Sequence, residues 1–225
     1  MLRAIIFDFD GVIANSEPLH FAAFRDVLAA ETVAITERDY YDRYLGFDDV
    51  GVFRTVAADH GRAWDACEIG TLVLRKAVRL EALEANVSIL FPGAADAIRR
   101  ASAAVPIAIA SGALRPEIVR VLAREGLANA FTAIVAAGET PAGKPSPEPY
   151  AKAIALIAAA TRAAIDARDC VAIEDSRWGL ESARAAGLHT VAVAQTYDAR
   201  ELPAVDLVIP NLDALDLSAL RAIAD

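Results

Sequence analysis

Positive charge, cysteine and long apolar runs are all scarce in this chain of 225 residues, and each scarcity removes a class of function. Lysine and arginine number 22 against 31 aspartates and glutamates, a formal charge of −9 at pH 7. A surface that grips nucleic acid or an anionic membrane needs clustered Lys and Arg, so neither partner is expected. The two cysteines, Cys67 and Cys170, are too few for a disulfide framework and lack metal-type spacing. Both are expected to be small buried apolar side chains. The first apolar run is cut by Asp8 and Asp10, which argues against a secretory leader. The most apolar later stretch, 151–164, carries Lys152 and Arg162 and is too short to span a bilayer. A soluble cytoplasmic protein is the expectation. Low-complexity segments and internal repeats are also missing.

What remains is an alanine-rich chain: 56% is hydrophobic, and 51 residues are alanine. Alanine favours helix. The length allows one domain or two. Short runs rich in β-branched residues predict buried strands at 4–7, 105–110, 133–137, 170–173, 190–194 and 207–209. Helical patterns fall between them at 94–103, 117–125, 148–160 and 178–186, with a last one from Leu215. Strands alternating with helices imply an α/β fold, a doubly wound, Rossmann-like parallel sheet covered on both faces. Residues 15–86 break the alternation. They show helical patterns at 18–30, 37–45, 50–60 and 66–85 and no convincing strand. The chain is therefore expected to hold a core of residues 1–14 and 87–225 with an inserted all-helical cap of 15–86. Trp64 and Trp178 are expected to be packing residues.

In doubly wound sheets, ligands bind beyond the carboxyl ends of the strands. The first strand ends in Asp8-Phe9-Asp10-Gly11, the second in Ser111-Gly112, and the fourth in Glu174-Asp175-Ser176; Gly143-Lys144-Pro145 follows the third. Four acids, a hydroxyl and a lysine would thus meet on one rim. Carboxylates crowded without a cation repel one another and rise in pKa. An all-oxygen set of this kind suits a hard divalent cation, Mg²⁺ rather than zinc. Residues i and i+2 of an extended segment face the same way, so Asp8 and Asp10 can share one site. One carboxylate can then attack phosphorus while the other handles the leaving group's proton. Lys144 and Ser111 offer a charge and a donor to phosphoryl oxygens. The stretch Gly138–Lys144 also fits G-x-x-x-x-G-K, but Pro145 follows where a nucleotide loop needs Ser or Thr.

The segments Phe7-Asp8-Phe9-Asp10-Gly11-Val12, Ala110-Ser111-Gly112, Gly143-Lys144-Pro145-Ser146-Pro147 and Ile173-Glu174-Asp175-Ser176 together resemble the haloacid dehalogenase superfamily of phosphotransferases. The likeness is greatest to its β-phosphoglucomutase-like and phosphoglycolate-phosphatase-like branch. That resemblance implies Asp8 as the nucleophile forming an aspartyl-phosphate, with Asp10 as general acid and then base. It implies Mg²⁺ held by the Asp8 carboxylate, the Asp10 carbonyl and Asp175, with Glu174 direct or through water. Ser111, Gly112 and Lys144 would hold the phosphate, and His20, Gly46, Phe47, Asp48 and Lys76 would read the rest of a small phosphorylated metabolite.

Within the superfamily, dehalogenases lack the second acid that Asp10 supplies. Phosphonate cleavage needs a cap lysine near the first hinge, and Lys76 lies in the last cap helix. A sugar-phosphate mutase is the main alternative. Such mutases carry an arginine in the first cap loop, where this chain has Leu45-Gly46-Phe47-Asp48-Asp49, and a core lysine shortly after the second motif, where only Arg115 stands nearby. A phosphatase is the reading these departures favour. A non-catalytic binding protein of this fold is the remaining alternative, and the intact motifs argue against it.

Overall fold

The computed structural model describes residues 1–45, 47–85 and 87–225. The chain divides into two compact units, one of Met1–Asn15 with Ile89–Asp225 and one of Ser16–Ser88.

The discontinuous unit is built on one six-stranded sheet. Its strands are β1 (Ala4–Phe7), β2 (Ile107–Ala110), β3 (Ala133–Val135), β4 (Cys170–Glu174), β5 (His189–Val193) and β6 (Leu207–Ile209). All pair in parallel, in the order β3-β2-β1-β4-β5-β6. β1, β2 and β4 are buried along their whole lengths, as parallel strands covered on both faces must be. Helices α5 (Ala94–Ala104), α6 (Arg115–Arg124), α7 (Glu148–Thr161), α8 (Arg177–Ala185) and α9 (Leu217–Ile223) supply that cover. β2 begins two residues later than the apolar run suggests, because Pro106 has no amide hydrogen for the ladder. Its carbonyl still accepts from Ile5 N at 3.2 Å.

The contiguous unit contains α1 (Glu17–Ala30), the single turn α2 (Glu37–Asp39), α3 (Asp49–Asp59) and α4 (Ala66–Glu84). α2 runs on into a π-helical turn over Tyr40–Tyr44, where one regular helix was expected. The aromatic side chains explain the wider turn: Tyr40 and Tyr44 are both buried, and Tyr40 packs on Phe21 and Phe24. Phe24 and Phe53 meet edge to face at the centre of this core. α4 opens on a capping box, with Asp65 accepting from Cys67 N and Glu68 N and Glu68 returning to Asp65 N.

Two expectations fail. Cys67 is exposed, because it falls in the first turn of α4 on the face away from Ile69 and Leu72; Cys170 is buried in β4. Trp178 is 57% exposed beneath the Arg177 guanidinium, whereas Trp64 packs on the core of the helical unit. No described helix is long and apolar enough to cross a membrane.

Candidate active site

The sheet order reverses between β1 and β4, and this switch point is where a doubly wound sheet opens a crevice. Phe7 is paired with Ile173, and Asp8 N donates to Ile173 O at 2.9 Å, so the chain leaves both strands side by side. Register alone therefore sets Asp8 next to Glu174. The carboxylates of Asp8, Glu174 and Asp175 each present an oxygen within 4.8 Å of the others, and all three residues are buried.

One ammonium lies among them. Lys144 Nζ donates to Asp8 Oδ1 at 2.7 Å and to Glu174 Oε1 at 2.5 Å. Burial pushes the Asp8 carboxyl up to about 7, with Lys144 pulling it back and the Glu174 and Asp10 charges adding to the rise. Burial likewise raises Asp175 to about 8, helped by Asp8 and Glu174. Burial works against the Lys144 charge, yet the Asp8 and Glu174 carboxylates hold its pKa well above the usual lysine range. A site where acids are forced upward by crowding in a buried place is one that a cation would relieve. The donors are all oxygens, so the residues fit a hard divalent ion.

Glu174 is the most enclosed member, with no exposed surface. Its Oε1 accepts from Lys144 Nζ and, at 2.8 Å, from Tyr150 Oη. Its Oε2 accepts from Asp175 N, Ser176 N and Ser176 Oγ at 3.2 to 3.4 Å. Ser176 also caps α8 by accepting from Gly179 N at 3.1 Å. Two glycines make room for this crowding. A Cβ on Gly179 would stand 1.8 Å from Glu174 Oε1, and one on Gly11 would stand 1.9 Å from Asp175 Oδ2, at a backbone φ of +76°.

Alanine in mid-helix is ordinarily better than glycine by about 1 kcal/mol. Here the carboxylate is held by five donors and cannot yield cheaply. Gly179→Ala is therefore expected to lower stability by about 1–3 kcal/mol, read as a fall in thermal midpoint. A rise would show that Glu174 is free to move.

Asp10 belongs to the same turn as Gly11, and its charge is felt at Asp8. Its carboxylate is not among the three whose oxygens lie within 4.8 Å of one another. The direction of the chain accounts for this: Asp10 bridges to Ala14, and the main chain has already turned away from β1. Its carbonyl is the atom that the resemblance implies as a ligand. Ser111 is buried at the end of β2, its amide donating to Val135 O and its Oγ accepting from Ala113 N at 3.1 Å. Gly112 beside it is exposed with open space around its Cα.

The residues expected to read the substrate divide. Gly46 lies outside the described residues. Phe47 is 55% exposed. Asp48 serves its own helix, accepting from Gly51 N at 2.7 Å as the N-cap of α3. Lys76 and His20 do come together. Lys76 Nζ, with only 1% of the side chain exposed, donates to His20 Nδ1 at 2.9 Å and Asp49 Oδ1 at 2.8 Å, and lies 4.8 Å from the Phe24 ring centre. Burial, seconded by Lys76, drives His20 down to about 3, so its imidazole is neutral. Because Lys can only donate, Nδ1 accepts and the ring proton sits on Nε2.

Sequence reasoning missed Tyr150, Gly179, Gln195 and Thr196. Gln195 Nε2 donates to the carbonyls of Gly11 and Val12 at 2.8 and 2.9 Å, and Thr196 Oγ1 donates to Gly11 O at 3.2 Å. Both follow β5, a strand end that carries no charged group to mark it. A cavity of about 700 Å³ in the helical unit, lined by Val27, Leu74 and Val78 among others, contains none of the residues discussed above.

A family model described as haloacid dehalogenase-like hydrolase matches residues 2–187. Protein CbbY of Rhodobacter capsulatus is 32% identical, with 97% of each chain covered. Hexitol phosphatase B of Escherichia coli K12 is 29% identical, over 85% of this chain and 83% of that one. Among solved structures, CbbY from Rhodobacter sphaeroides in complex with xylulose-(1,5)bisphosphate superposes with a TM-score of 0.82 at 27% identity, covering 98% and 99% of the two chains. Sequence motifs, sheet order and relatives matched along most of their length agree: the chain belongs to the haloacid dehalogenase-like hydrolases.

Proposed function

We propose that the chain is a Mg²⁺-dependent phosphatase acting on a small sugar or sugar-alcohol monophosphate. The observation that carries this reading is the buried set of three carboxylates around the single Lys144 ammonium at the β1–β4 switch point. Hexitol phosphatase B supports the substrate class, and the xylulose-(1,5)bisphosphate complex of CbbY supports its sugar part.

In this reading an Asp8 carboxylate oxygen attacks phosphorus while the ester P–O bond breaks. Asp10 gives its proton to the departing alkoxide, which leaves as an alcohol. Asp10, now a carboxylate, takes a proton from water as that water attacks the phosphorus of the aspartyl-phosphate. Inorganic phosphate departs and both acids return to their starting states. Ser111, the open backbone at Gly112 and Lys144 hold the phosphoryl oxygens. Asp8, Asp175 and the Asp10 carbonyl would hold the metal ion, with Glu174 behind them. When bound, the ion supplies positive charge that offsets repulsion between the Asp8 carboxylate and the phosphate.

The helical unit, residues 15–86 in the sequence reading, is proposed as the cap that selects the leaving group through His20, Gly46, Phe47, Asp48 and Lys76. Its chemistry favours a phosphatase over a sugar-phosphate mutase, which must hold a second phosphate. Asp49 already occupies Lys76. Arg115 is bound by Glu139 through two contacts of 2.5 and 2.9 Å and by Ile134 O at 2.7 Å.

The test is phosphate release from a panel of sugar and polyol monophosphates with and without Mg²⁺. Steady Mg²⁺-dependent release without an activator is expected. Isomerisation that needs a bisphosphate activator, or no release from any member, would overturn the reading. With sugar bisphosphates added to the panel, Asp49→Arg is expected to shift the kcat/KM ratio by about tenfold towards them, since close like or opposite charges in partly buried places are worth about 1–2 kcal/mol.

A further inference from the structure

We infer that Tyr150 is a positioning residue for Lys144, setting the ammonium through both parts of its side chain. The inference rests on the phosphatase reading above. Tyr150 lies in the first turn of α7 and is fully buried among Ala4, Ile6, Ala108 and Ala172. Packing alone asks only for an aromatic ring in that place, and phenylalanine would fill it. The hydroxyl does something else: it donates to Glu174 Oε1 at 2.8 Å, the same oxygen that Lys144 Nζ approaches at 2.5 Å.

The ring adds a second constraint. Its centre is 5.3 Å from Lys144 Nζ, within range of a cation–π attraction. One side chain thus bounds the ammonium on its ring side and fixes the acceptor on another. Asp8 Oδ1 takes a further direction at 2.7 Å. Lys144 itself comes from the loop before α7, where its long flexible stem offers four rotatable bonds. A lysine in such a place has little to hold its charge at one point unless its neighbours do so. Oε2 is already held by Asp175 N, Ser176 N and Ser176 Oγ, so without the hydroxyl Oε1 stays in place with Lys144 as its one donor, and the ammonium is drawn closer to it and away from the phosphoryl oxygens. Displacements below an ångström matter at a phosphoryl-transfer site, because catalysis there is largely positioning and electrostatics.

The conservative variant separates this role from simple packing. Tyr150→Phe keeps the ring, its place in the core and its attraction for Lys144, and removes only the donor to Oε1. The unmodified chain and the variant are compared for kcat and KM of Mg²⁺-dependent hydrolysis of an aryl phosphate, for inhibition by inorganic phosphate, and for thermal midpoint. The expected result is a kcat lower by about tenfold, KM within twofold, and inhibition by phosphate weakened severalfold. The second arm is a double-mutant cycle with Lys144→Ala. In that background Tyr150→Phe is expected to change kcat by less than twofold, since the group it positions is gone. If Lys144→Ala has no measurable turnover or does not fold, the phosphate inhibition constant of Tyr150→Phe decides, and an unchanged constant overturns the inference. A kcat within twofold of the unmodified chain, or a loss of equal size in both backgrounds, overturns it as well. Absence of hydrolysis by the unmodified chain would instead overturn the phosphatase reading, and this inference with it.

Discussion

Replacing Asp8 by asparagine is expected to abolish hydrolysis and, in the same protein, to raise its stability. The loss follows from chemistry: an amide is a poor nucleophile, and removing a covalent catalyst lowers kcat by at least about a thousandfold. The gain follows from burial, to which the charges of Glu174 and Asp10 add. Asp8 shares a buried space with Glu174 and Asp175, and its carboxyl is pushed up to about 7 from an ordinary 3.8. A group whose folded pKa is raised binds its proton more tightly in the folded state. Its contribution is fully present below about pH 4 and is lost as pH rises through about 7. Ionised Asp8 at pH 8 is therefore a liability in the metal-free protein, and Asn removes it while keeping an oxygen for Lys144. Thermal melts with chelator at pH 5 and pH 8 check this. The variant should match the parent at pH 5 and exceed it at pH 8. A lower midpoint at pH 8 would mean that Lys144 is bound more strongly to Asp8 than the neighbouring acids repel it.

Lys144→Met is expected to have the opposite effect on stability. Methionine keeps much of the stem, and what disappears is the charge facing Asp8 and Glu174. Removing one partner of a buried ion pair costs about 3–5 kcal/mol, because the other charge stays behind. In a chain of this size about 1 kcal/mol corresponds to about 2–4 °C, so a fall of about 10 °C is expected at pH 8. Its pH dependence is the discriminating part. Lys144 is fully charged throughout the range from 5 to 8, since its pKa is raised. The acids around it are not: Asp8 and Asp175 take up protons below about 7 and 8. The loss should shrink at pH 5, where protonation does part of what the lysine did. An equal fall at both values would place the damage in packing. Turnover should fall by at least about a hundredfold, as it does when a preorganised charge is removed from a reacting centre.

Strand ends carried most of the site in the sequence. Apolar runs of four or five residues fixed where each strand stopped, and the fold rule for parallel sheets then drew Asp8, Ser111, Glu174 and Asp175 to one rim. Lys144 was legible because it is a cation in a loop following a strand. Tyr150 was not. Its hydroxyl is one polar atom on a helix whose pattern is apolar, and nothing local says that it ends against a carboxylate. Gly179 carries no local sign of its role, because the side chain it makes room for comes from a different element. Gln195 and Thr196 were hidden by being uncharged. Asp49 stood out as an acid, but its partner is 27 positions away across two helices, and such pairings become visible only once α1, α3 and α4 are packed.

The two units differ in how the chain reaches them. The helical one is contiguous, Ser16–Ser88, whereas the sheet needs Met1–Asn15 and then nothing until Ile89. During synthesis β1 emerges first and has no partner. Ile5, Ile6 and Phe7 wait for Ile107–Ile109 on one edge and for Val171–Ile173 on the other. The helices between can form from local contacts in the meantime, which is the fast kind of folding. A chain stopped anywhere before residue 170 has one side of its central strand open, an apolar edge inviting association with another copy. Asp8 is made before the whole of the helical unit, and its neighbour Glu174 well after it. The order of folding is thus written into the topology: the helical unit early, the sheet late, and the chemistry last.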